Sequence, residues 1–346
     1  MIVKNEEAVL ERCLKSIKNF VDEIIVVDTG STDNTKKIAK KFTNKIFDFV
    51  WCDDFSSARN FAAQKANCEY IIWLDADDVV PQKTLKQLIN LKPKLSADVY
   101  MLKYDIAFLN GKPTFSYYRE RIIKNCKNCV WQGAVHECIV PFGIVEYIDM
   151  GIWHKKEKQE ISSRNLQIYK KLSTQRVLSS REQYYYGREL FDHKKYVQCI
   201  NVLTKFIKNN DAWVENVIDA CVLVSECYQA KSDSANQFKW LIKTFLFDTP
   251  RANICCKLGD FFLLQKKYDT AIFWFKTATN LKDVSLKGAF VEPTYYCYYP
   301  NLQLCYIYSL LGDNANAQKF NELAGRQFKG AEYLHNKKYF ESVKII

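Results

Sequence analysis

The pattern of apolar residues changes near residue 155 and divides the chain into two parts. In the first part, short runs rich in β-branched residues alternate with segments whose apolar residues recur at helical spacing. The predicted strands cover 2–3, 24–27, 46–50 and 70–74, and the predicted helices cover 9–21, 35–42, 56–66 and 81–91. This alternation of strands and helices predicts an α/β domain with a mainly parallel sheet and helices on both of its faces.

Beyond residue 160 the strand signals end and a helical pattern repeats. Residues 258–278 resemble the tetratricopeptide pattern of apolar, small and aromatic positions. The same template fits residues 186–206 and 304–324, and it fits residues 224–241 less well. The small position falls at residues 187, 225, 259 and 305, so successive copies are 38, 34 and 46 residues apart. The alternative is an unrelated helical bundle. We predict an α/β domain over 1–155, a linking helix over 156–180 and an all-α repeat domain over 181–346.

Composition narrows the class of protein. The chain has 346 residues, of which 48% are hydrophobic and 26% charged, and these values exclude disordered and collagen-like classes. No run reaches 18 apolar residues, so we predict no transmembrane segment. The segment from Met1 to Glu7 has neither the charged nor the apolar region of a secretory signal. We therefore expect a cytoplasmic protein.

Thirteen cysteines raise the alternatives of a disulfide framework or a metal site. The number is odd and the chain is long enough to form a core, which favours reduced, buried thiols. Cys126 and Cys129 are spaced like half of a zinc site, but no second pair at matching spacing follows. We expect the cysteines near or within the repeat helices to be core residues: Cys199, Cys221, Cys227, Cys255 and Cys305.

Two acidic motifs follow predicted strands. Asp28 ends the strand 24–27, and Asp75-Ala76-Asp77-Asp78 follows the strand 70–74. In parallel sheets, ligands bind beyond the carboxyl ends of the strands. Neighbouring carboxylates repel one another unless a cation neutralises them, and Mg²⁺ or Mn²⁺ favours such ligands and bridges to phosphates. The motif therefore indicates a metal–diphosphate site, with an acidic helix N-terminus as the structural alternative.

Four segments together resemble family 2 glycosyltransferases with the Rossmann-like GT-A fold. They occur in the expected order within residues 1–155, at 1–7, 27–33, 58–60 and 74–78. With its tetratricopeptide-like tail, the whole chain is similar to the bacterial subgroup that includes the sublancin-type peptide S-glycosyltransferases. Relatives have further residues before the segment that begins at Met1, so we expect a shortened first strand.

The resemblance implies a site for a nucleotide-sugar donor. Asp28 matches the position that helps to hold the base, although many relatives have a second acid where this chain has Thr29. Asp75 matches a position near the ribose and the metal, and Arg59 matches a basic residue near the donor or a structural ion pair. The implied donor-binding residues are Val3, Asn5, Glu6, Asp28, Gly30, Asp53, Arg59, Asp75 and Ala76.

The resemblance also implies a metal site and a catalytic base. Asp75, Asp77 and His154 match the ligands of a divalent Mg²⁺ or Mn²⁺ ion. An inverting transfer needs a general base for the acceptor proton, and Glu137 is the candidate with His136 as the alternative. The structural alternative is that Glu137 pairs with Arg119 or Arg121.

The expected function is inverting, metal-dependent transfer of a sugar from a nucleotide-sugar, with a UDP-sugar as the expected donor, to a peptide or protein acceptor. Two alternatives remain: a glycan or cell-surface polymer precursor as acceptor, with the repeats forming a homodimer, and an interaction protein with a vestigial transferase domain. The net charge of +11 does not indicate nucleic-acid binding, since no motif for it occurs. Residues 156–346 carry +9 of this charge, which favours an acidic partner.

Overall fold

The computed structural model describes residues 1–109, 111–155, 162–282 and 292–343. The chain forms two compact units, Met1–Tyr185 and Tyr186–Ile346. The helix α5 (Arg164–Gln175) belongs to the first unit, and the division falls within α6 (Ser180–Asp192). The predicted linking helix over 156–180 and the repeat domain over 181–346 stay predictions about domain organisation.

All eight elements predicted for residues 1–91 are present in the first unit. Its strands are β1 (Ile2–Val3), β2 (Val26–Asp28), β3 (Ile46–Asp48), β4 (Tyr70–Ile72), β5 (Asp78–Val79), β6 (Val99–Leu109), β7 (Lys112–Lys124), β8 (Trp131–Gln132), β9 (Cys138–Ile139) and β10 (Val145–His154). Its other helices are α1 (Leu10–Ile17), α2 (Thr35–Ala39), α3 (Phe55–Ala63) and α4 (Gln82–Leu91). Strand β2 begins two residues later than predicted, at Val26, which pairs with Ile46 of β3.

The strands form a mixed arrangement rather than one mainly parallel sheet. Strands β1, β2 and β3 pair in parallel, in that order. A second sheet has the order β4-β7-β6-β10-β5, in which β6 and β10 are parallel and the other pairs antiparallel. The antiparallel pairs arise because β6 and β7 form a long hairpin, whose connection includes Gly111 at a φ of +75°.

The core of the first unit lies between the second sheet and the helices α1 and α4. Its fully buried members include Cys13, Leu88, Tyr100, Leu102 and Ile152. Each large apolar side chain contributes roughly 1.5–3 kcal/mol when it is fully buried. This packing fixes β4, β5 and β10, whose ends bear the acidic motif and His154.

The second unit consists of the helical repeats that the sequence predicts. Its helices after α6 are α7 (Tyr196–Phe206), α8 (Val214–Ala230), α9 (Ser234–Lys243), α10 (Ala252–Leu264), α11 (Tyr268–Asn280), α12 (Tyr298–Leu310), α13 (Asn314–Gln327) and α14 (Ala331–Val343). The predicted small positions lie where two helices of a repeat touch. A Cβ atom added to Gly187 would come within 2.2 Å of Leu203, and one added to Gly259 within 2.7 Å of the Phe275 ring.

The division into two units changes how the net charge is distributed along the chain. The first unit has 29 Lys and Arg against 23 Asp and Glu, a balance of +6, and the second has 21 against 16, a balance of +5. The basic excess that the sequence analysis assigned to the tail is therefore divided between the two units.

All five cysteines predicted as core residues are buried, and their thiols are free. Within the described ranges, no helix is both long and apolar enough to cross a lipid bilayer.

Candidate functional site

Asp28 lies at the carboxyl end of β2 and is 1% exposed. Its Oδ1 atom accepts hydrogen bonds from the backbone N–H groups of Gly30 (2.9 Å) and Ser31 (2.8 Å). Its Oδ2 atom is buried and has no partner among the described residues. Because buried polar atoms are nearly always satisfied, an acceptor without a partner at a strand end marks a place for a donor from a ligand. Gly30 has a φ of +104° and open space at its Cα.

Asn5 and Glu6 hold the loop that follows Asp28. Asn5 has a φ of +56°, its backbone N–H donates to Ser31 Oγ at 2.9 Å, and its Oδ1 accepts from Thr32 N at 2.8 Å. The backbone N–H of Glu6 donates to Thr35 Oγ1 at 2.7 Å. Val3 adds a carbonyl that accepts from Thr29. These groups shape the loop, while a direct contact of Val3, Asn5 or Glu6 with a donor stays a prediction.

Arg59 joins two of the predicted site residues. Its Nη2 donates to Asp75 Oδ1 at 2.6 Å and its Nε donates to Glu137 Oε1 at 2.5 Å. Burial alone would raise the pKa of Asp75, but the charge of Arg59, followed by that of Arg121, outweighs burial and holds this pKa below its usual value. Burial would likewise lower the pKa of Arg59, but Asp75 and Glu137 raise it. The three groups form one charged network.

Trp73 lies among three guanidinium groups at the centre of this network. The Cζ atoms of Arg59, Arg119 and Arg121 lie 4.7, 5.0 and 4.0 Å from the centre of its ring. The sequence analysis left open whether Glu137 pairs with Arg119 or Arg121. Its carboxylate pairs with Arg59 instead, and Arg119 reaches only its carbonyl oxygen, at 3.2 Å.

Asp77, Asp78 and His154 converge at the ends of β5 and β10. His154 Nδ1 lies 3.4 Å from Asp77 Oδ1 and 3.5 Å from Asp78 Oδ1, and the three ligand atoms lie within 4.8 Å of one another. Burial would lower the pKa of His154, but hydrogen bonds and charge from Asp77 and Asp78 raise it to about 9. His154 and Asp78 lie close together because they stand opposite each other in the antiparallel pairing of β10 with β5.

The two aspartates have different surroundings. The Asp78 side chain is fully buried: its Oδ2 accepts from Arg121 Nη1 at 3.1 Å and from the Asp75 N–H at 3.0 Å, and its Oδ1 accepts from the Tyr104 hydroxyl at 2.9 Å. Asp77 retains 24% side-chain exposure. Carboxylate oxygens with an imidazole nitrogen suit a divalent ion such as Mn²⁺. The structure thus brings together two of the three predicted ligands, with Asp78 beside them and Asp75 held by Arg59.

Asp53, with its neighbour Asp54, and Ala76 remain to be placed, and of these Asp53 and Ala76 belong to the predicted set. Asp53 has a φ of +63°, and its Oδ2 lies 2.6 Å from Lys171 Nζ of α5. Asp54 caps α3 by accepting from the Ser57 N–H at 3.1 Å. Ala76 is buried in an apolar cluster. A donor contact for Asp53 or Ala76 stays a prediction, because the structure gives each a clear structural role.

The predicted base lies in the loop 133–137, between β8 and β9. Gly133 has a φ of +98° and His136 a φ of +52°. The Glu137 side chain is 11% exposed, and the His136 ring stacks on the Tyr185 ring with centres 4.3 Å apart. Sequence reasoning gave no role to Tyr185 or Tyr104, and it named Asp78 only as a member of the acidic motif and a candidate helix cap. The one available signal was that Asp78 directly follows the Asp-x-Asp pair.

A cavity of about 380 Å³ lies on another side of Arg59 and Trp73. It is bordered by Met1, by Ile25 before β2 and by Tyr70 of β4, and its lining is mostly apolar. Asp77, Asp78 and His154 do not line it. Arg59, which bonds to Asp75 and Glu137, also lines this cavity.

Comparisons with known proteins agree with this geometry. Residues 1–147 match the model of the family described as "Glycosyl transferase family 2". The SPbeta prophage-derived glycosyltransferase SunS of Bacillus subtilis is 26% identical over 247 residues, which is 65% of this chain and 56% of SunS. An uncharacterized glycosyltransferase of Rickettsia typhi is 34% identical over 109 residues, or 32% of this chain and 37% of that protein.

A TPR repeat-containing protein of Synechococcus elongatus is 50% identical over 78 residues, which is 22% of this chain and 19% of that protein. This chain thus spans little more than half of SunS and less of the other two relatives.

Solved structures align with low scores. Staphylococcus aureus TarS 1–349 in complex with UDP-GlcNAc gives a TM-score of 0.38 at 15% identity, over 95% of this chain and 91% of that one. MamA gives 0.37 at 16% identity, over 50% of this chain and 89% of that one. Scores of this size carry no inference about the ligands of this chain.

Proposed function

Because residues 1–147 match the model of glycosyltransferase family 2 and tetratricopeptide-like helical repeats follow them, we propose that the protein transfers a sugar from a UDP-sugar to an acceptor, with inversion and with a divalent metal ion. The observation that carries the proposal is the meeting of Asp77 with His154 beside Asp78 at a strand edge of the matched unit. The buried Oδ2 of Asp28, at the end of another strand of the same unit, supports it.

Donor binding is assigned to two groups of residues. Asp28 Oδ2 would accept a hydrogen bond from the nucleotide base, because it is the buried acceptor that has no partner among the described residues of that loop. Asp77 and His154 would hold Mg²⁺ or Mn²⁺, which supplies positive charge to offset the charge that develops on the leaving diphosphate. Asp78 and Arg121 would keep this edge rigid, since both side chains are fully buried.

Glu137 is the proposed general base. In an inverting transfer the acceptor atom attacks the anomeric carbon, the bond from that carbon to the diphosphate oxygen breaks, and the acceptor proton passes to the base. Arg59 keeps one oxygen of the Glu137 carboxylate fixed at 2.5 Å and orients the group. His136 is the alternative base. Its ring is held by stacking on Tyr185, and so it is also well positioned.

The proposed acceptor is a peptide or protein side chain bound in part by the repeats, because helical repeats provide extended surfaces suited to such ligands. A glycan or polymer-precursor acceptor, with the repeats forming a homodimer, is the second candidate. The vestigial-domain alternative is disfavoured by the intact Asp77, Asp78 and His154 group. We expect the reaction to take place in the cytoplasm.

Mass spectrometry of products tests the acceptor class. The full chain is incubated with a panel of UDP-sugars, Mn²⁺ and either peptides encoded near the gene or polymer-precursor glycans. We expect a mass increase of one sugar on a peptide, located by fragmentation. Transfer to the glycans alone would overturn the peptide assignment and leave the transferase assignment standing.

A further inference from the structure

The loop 133–137 adopts a conformation that it cannot hold by itself. His136 is in the left-handed region at a φ of +52°, a conformation that is strained for a residue with a side chain. Such a conformation persists only when surrounding contacts determine it. The loop has contacts on two sides. On one side, Phe55 N donates to Ala134 O at 2.9 Å, and Arg119 Nη2 donates to Glu137 O at 3.2 Å.

The other side of the loop is held by residues from α5 and the start of α6. The hydroxyl of Tyr169, a fully buried residue of α5, donates to Val135 O at 3.2 Å. Arg181 Nη2 donates to His136 O at 3.1 Å. The Tyr185 ring stacks on the His136 ring at an angle of 16°, and the Arg181 guanidinium lies 4.8 Å from the centre of the Tyr185 ring.

These contacts reach two successive residues of the loop, Val135 and His136. Tyr169 fixes the carbonyl of residue 135, Arg181 fixes the next carbonyl, and Tyr185 fixes the side chain between them. The residue that follows is Glu137. Since the backbone orientation at residue 136 sets the direction in which residue 137 leaves the loop, any rotation there moves the Glu137 carboxylate relative to Arg59.

We propose that Tyr169, Arg181 and Tyr185, here called the loop clamp, are positioning residues that hold the loop 133–137 and thereby place the Glu137 carboxylate for reaction. The inference rests on the proposed function, because it assigns the clamp to the transfer step. It gives α5 and the first turns of α6 a positioning role for the transfer step. None of the three clamp residues contacts Asp28, Asp77 or His154 among the interactions described for them.

Tyr185 offers a matched pair of variants. Tyr185→Leu removes the stacked ring, and Tyr185→Phe keeps it. In the full chain we expect Tyr185→Leu to lower kcat by about 10- to 100-fold, since small misplacement of a reacting group costs rates of this order. UDP affinity, measured by calorimetry with Mn²⁺, should stay within about twofold of wild type, because the residues proposed to bind the donor are untouched. Tyr185→Phe should behave like wild type in both measurements.

Hydrogen exchange supplies a readout that needs no turnover. Amides of residues 134–138 should exchange faster in Tyr185→Leu than in Tyr185→Phe, while the loop 29–35 serves as an internal reference with unchanged exchange. If Tyr185→Leu fails to fold, Tyr169→Phe replaces it, because that variant removes only the hydroxyl that bonds to Val135 O.

The outcomes separate the two proposals. Faster exchange at 134–138 with reduced kcat and unchanged UDP affinity supports the clamp. Unchanged exchange, or unchanged kcat despite faster exchange, overturns it. Wild-type protein that turns over no UDP-sugar refutes the proposed function and with it the catalytic role of the clamp. The exchange data would then still show whether these residues hold the loop.

Discussion

Asp77 and Asp78 are adjacent in the sequence, but their side chains have opposite surroundings. Asp77 keeps a quarter of its side-chain surface exposed beside His154, whereas Asp78 is sealed and bonded to Arg121 and Tyr104. A side chain that binds an exchangeable metal ion must be accessible to solvent. A buried charged side chain must be paired with an opposite charge, because an unpaired buried charge is strongly destabilising. The two carboxylates therefore have separate tasks, one in binding and one in holding the strand edge.

Removing the charge of each aspartate separates these tasks. We predict that Asp78→Asn lowers the free energy of unfolding by about 3–5 kcal/mol, because Arg121 is left buried without its partner. Asp77→Asn should leave that free energy within about 0.5 kcal/mol of wild type, as expected for a partly exposed position. Urea unfolding of both variants checks this, and equal losses would contradict the division of roles.

Metal affinity should depend on pH through His154. The pKa of this imidazole is raised to about 9, so the ring carries a proton at neutral pH that a metal ion must displace. Between about pH 7 and pH 9 we expect Mn²⁺ affinity to rise by about tenfold per pH unit and then to level off. Calorimetry at several pH values measures this slope. His154→Asn should show a much flatter profile, and an equally steep profile in that variant would reject His154 as the titrating ligand.

At the residue level, the sequence predicts ligand types better than partnerships. Asp77 is predicted from the Asp-x-Asp motif and His154 from the family resemblance, and the structure brings their side chains within 3.4 Å. The pairing of Glu137 with Arg59 could not be foreseen, since 78 residues separate them and Arg119 and Arg121 are much nearer in sequence. Side-chain direction decides the outcome: Arg121 is fully buried and points to Asp78, and Arg119 pairs with Glu120. The alternation of side chains along a strand does not reveal these ion-pair partners when the pairing of the strand is unknown.

At the level of elements, the repeats share a feature that the template did not include. Seven residues after each small position, the chain takes a positive φ: 57° at Lys194, 59° at Ser232, 58° at Lys266 and 76° at Gly312. Each ends the first helix of its repeat in the left-handed conformation, for which glycine is best suited. In the 46-residue spacing the extra residues lie between α11 and α12, whereas in the 38-residue spacing they lengthen α8, which has 17 residues.

Lys266 and Gly312 form a natural test of this feature. We predict that Lys266→Gly raises the free energy of unfolding by up to about 1 kcal/mol, because glycine adopts a φ of +58° without strain. Gly312→Ala should lower it by a similar amount. That loss would come from backbone strain alone, since an added Cβ at Gly312 meets nothing within 4 Å. Thermal unfolding measures both, and shifts of the same sign in the two variants would refute the explanation.

The hairpin of β6 and β7 shows where element prediction stops. The eight elements before residue 92 follow from apolar periodicity, but the region that turns the sheet mixed does not. Strands β6 and β7 are long, and their register shifts at several points, for example between Tyr100 and Met101. Such irregularities break the two-residue alternation that identifies a strand. The prediction of a mainly parallel sheet therefore describes β1, β2 and β3 but not the second sheet, which is mixed.

At the level of the whole molecule, the segment after β10 belongs physically to the first unit. Residues 156–185 carry a net charge of +4 in the sequence, which is why moving the boundary from 155 to 185 shares the basic excess between the units. Helix α5 buries Leu166, Ile168 and Tyr169 within this unit, each at most 3% exposed. A unit that ended at residue 155 would lack these three buried side chains.

Two truncations test this boundary. A fragment of residues 1–192 retains α5 and all of α6, and we expect it to unfold cooperatively. A fragment of residues 1–155 loses three buried side chains, each contributing roughly 1.5–3 kcal/mol, and should be unfolded or loosely packed. Near-ultraviolet circular dichroism during urea unfolding distinguishes them. Equal stability of the two fragments would show that α5 is dispensable for the unit.

The central claim is that this chain is a metal-dependent glycosyltransferase, and UDP release tests it most directly. Wild-type protein and Asp77→Asn are incubated with a panel of UDP-sugars, with and without Mn²⁺, and free UDP is measured. The account predicts release from at least one UDP-sugar by the wild type with Mn²⁺, and none above background without the ion or in the variant. No release from any UDP-sugar, or equal release by Asp77→Asn, would contradict it.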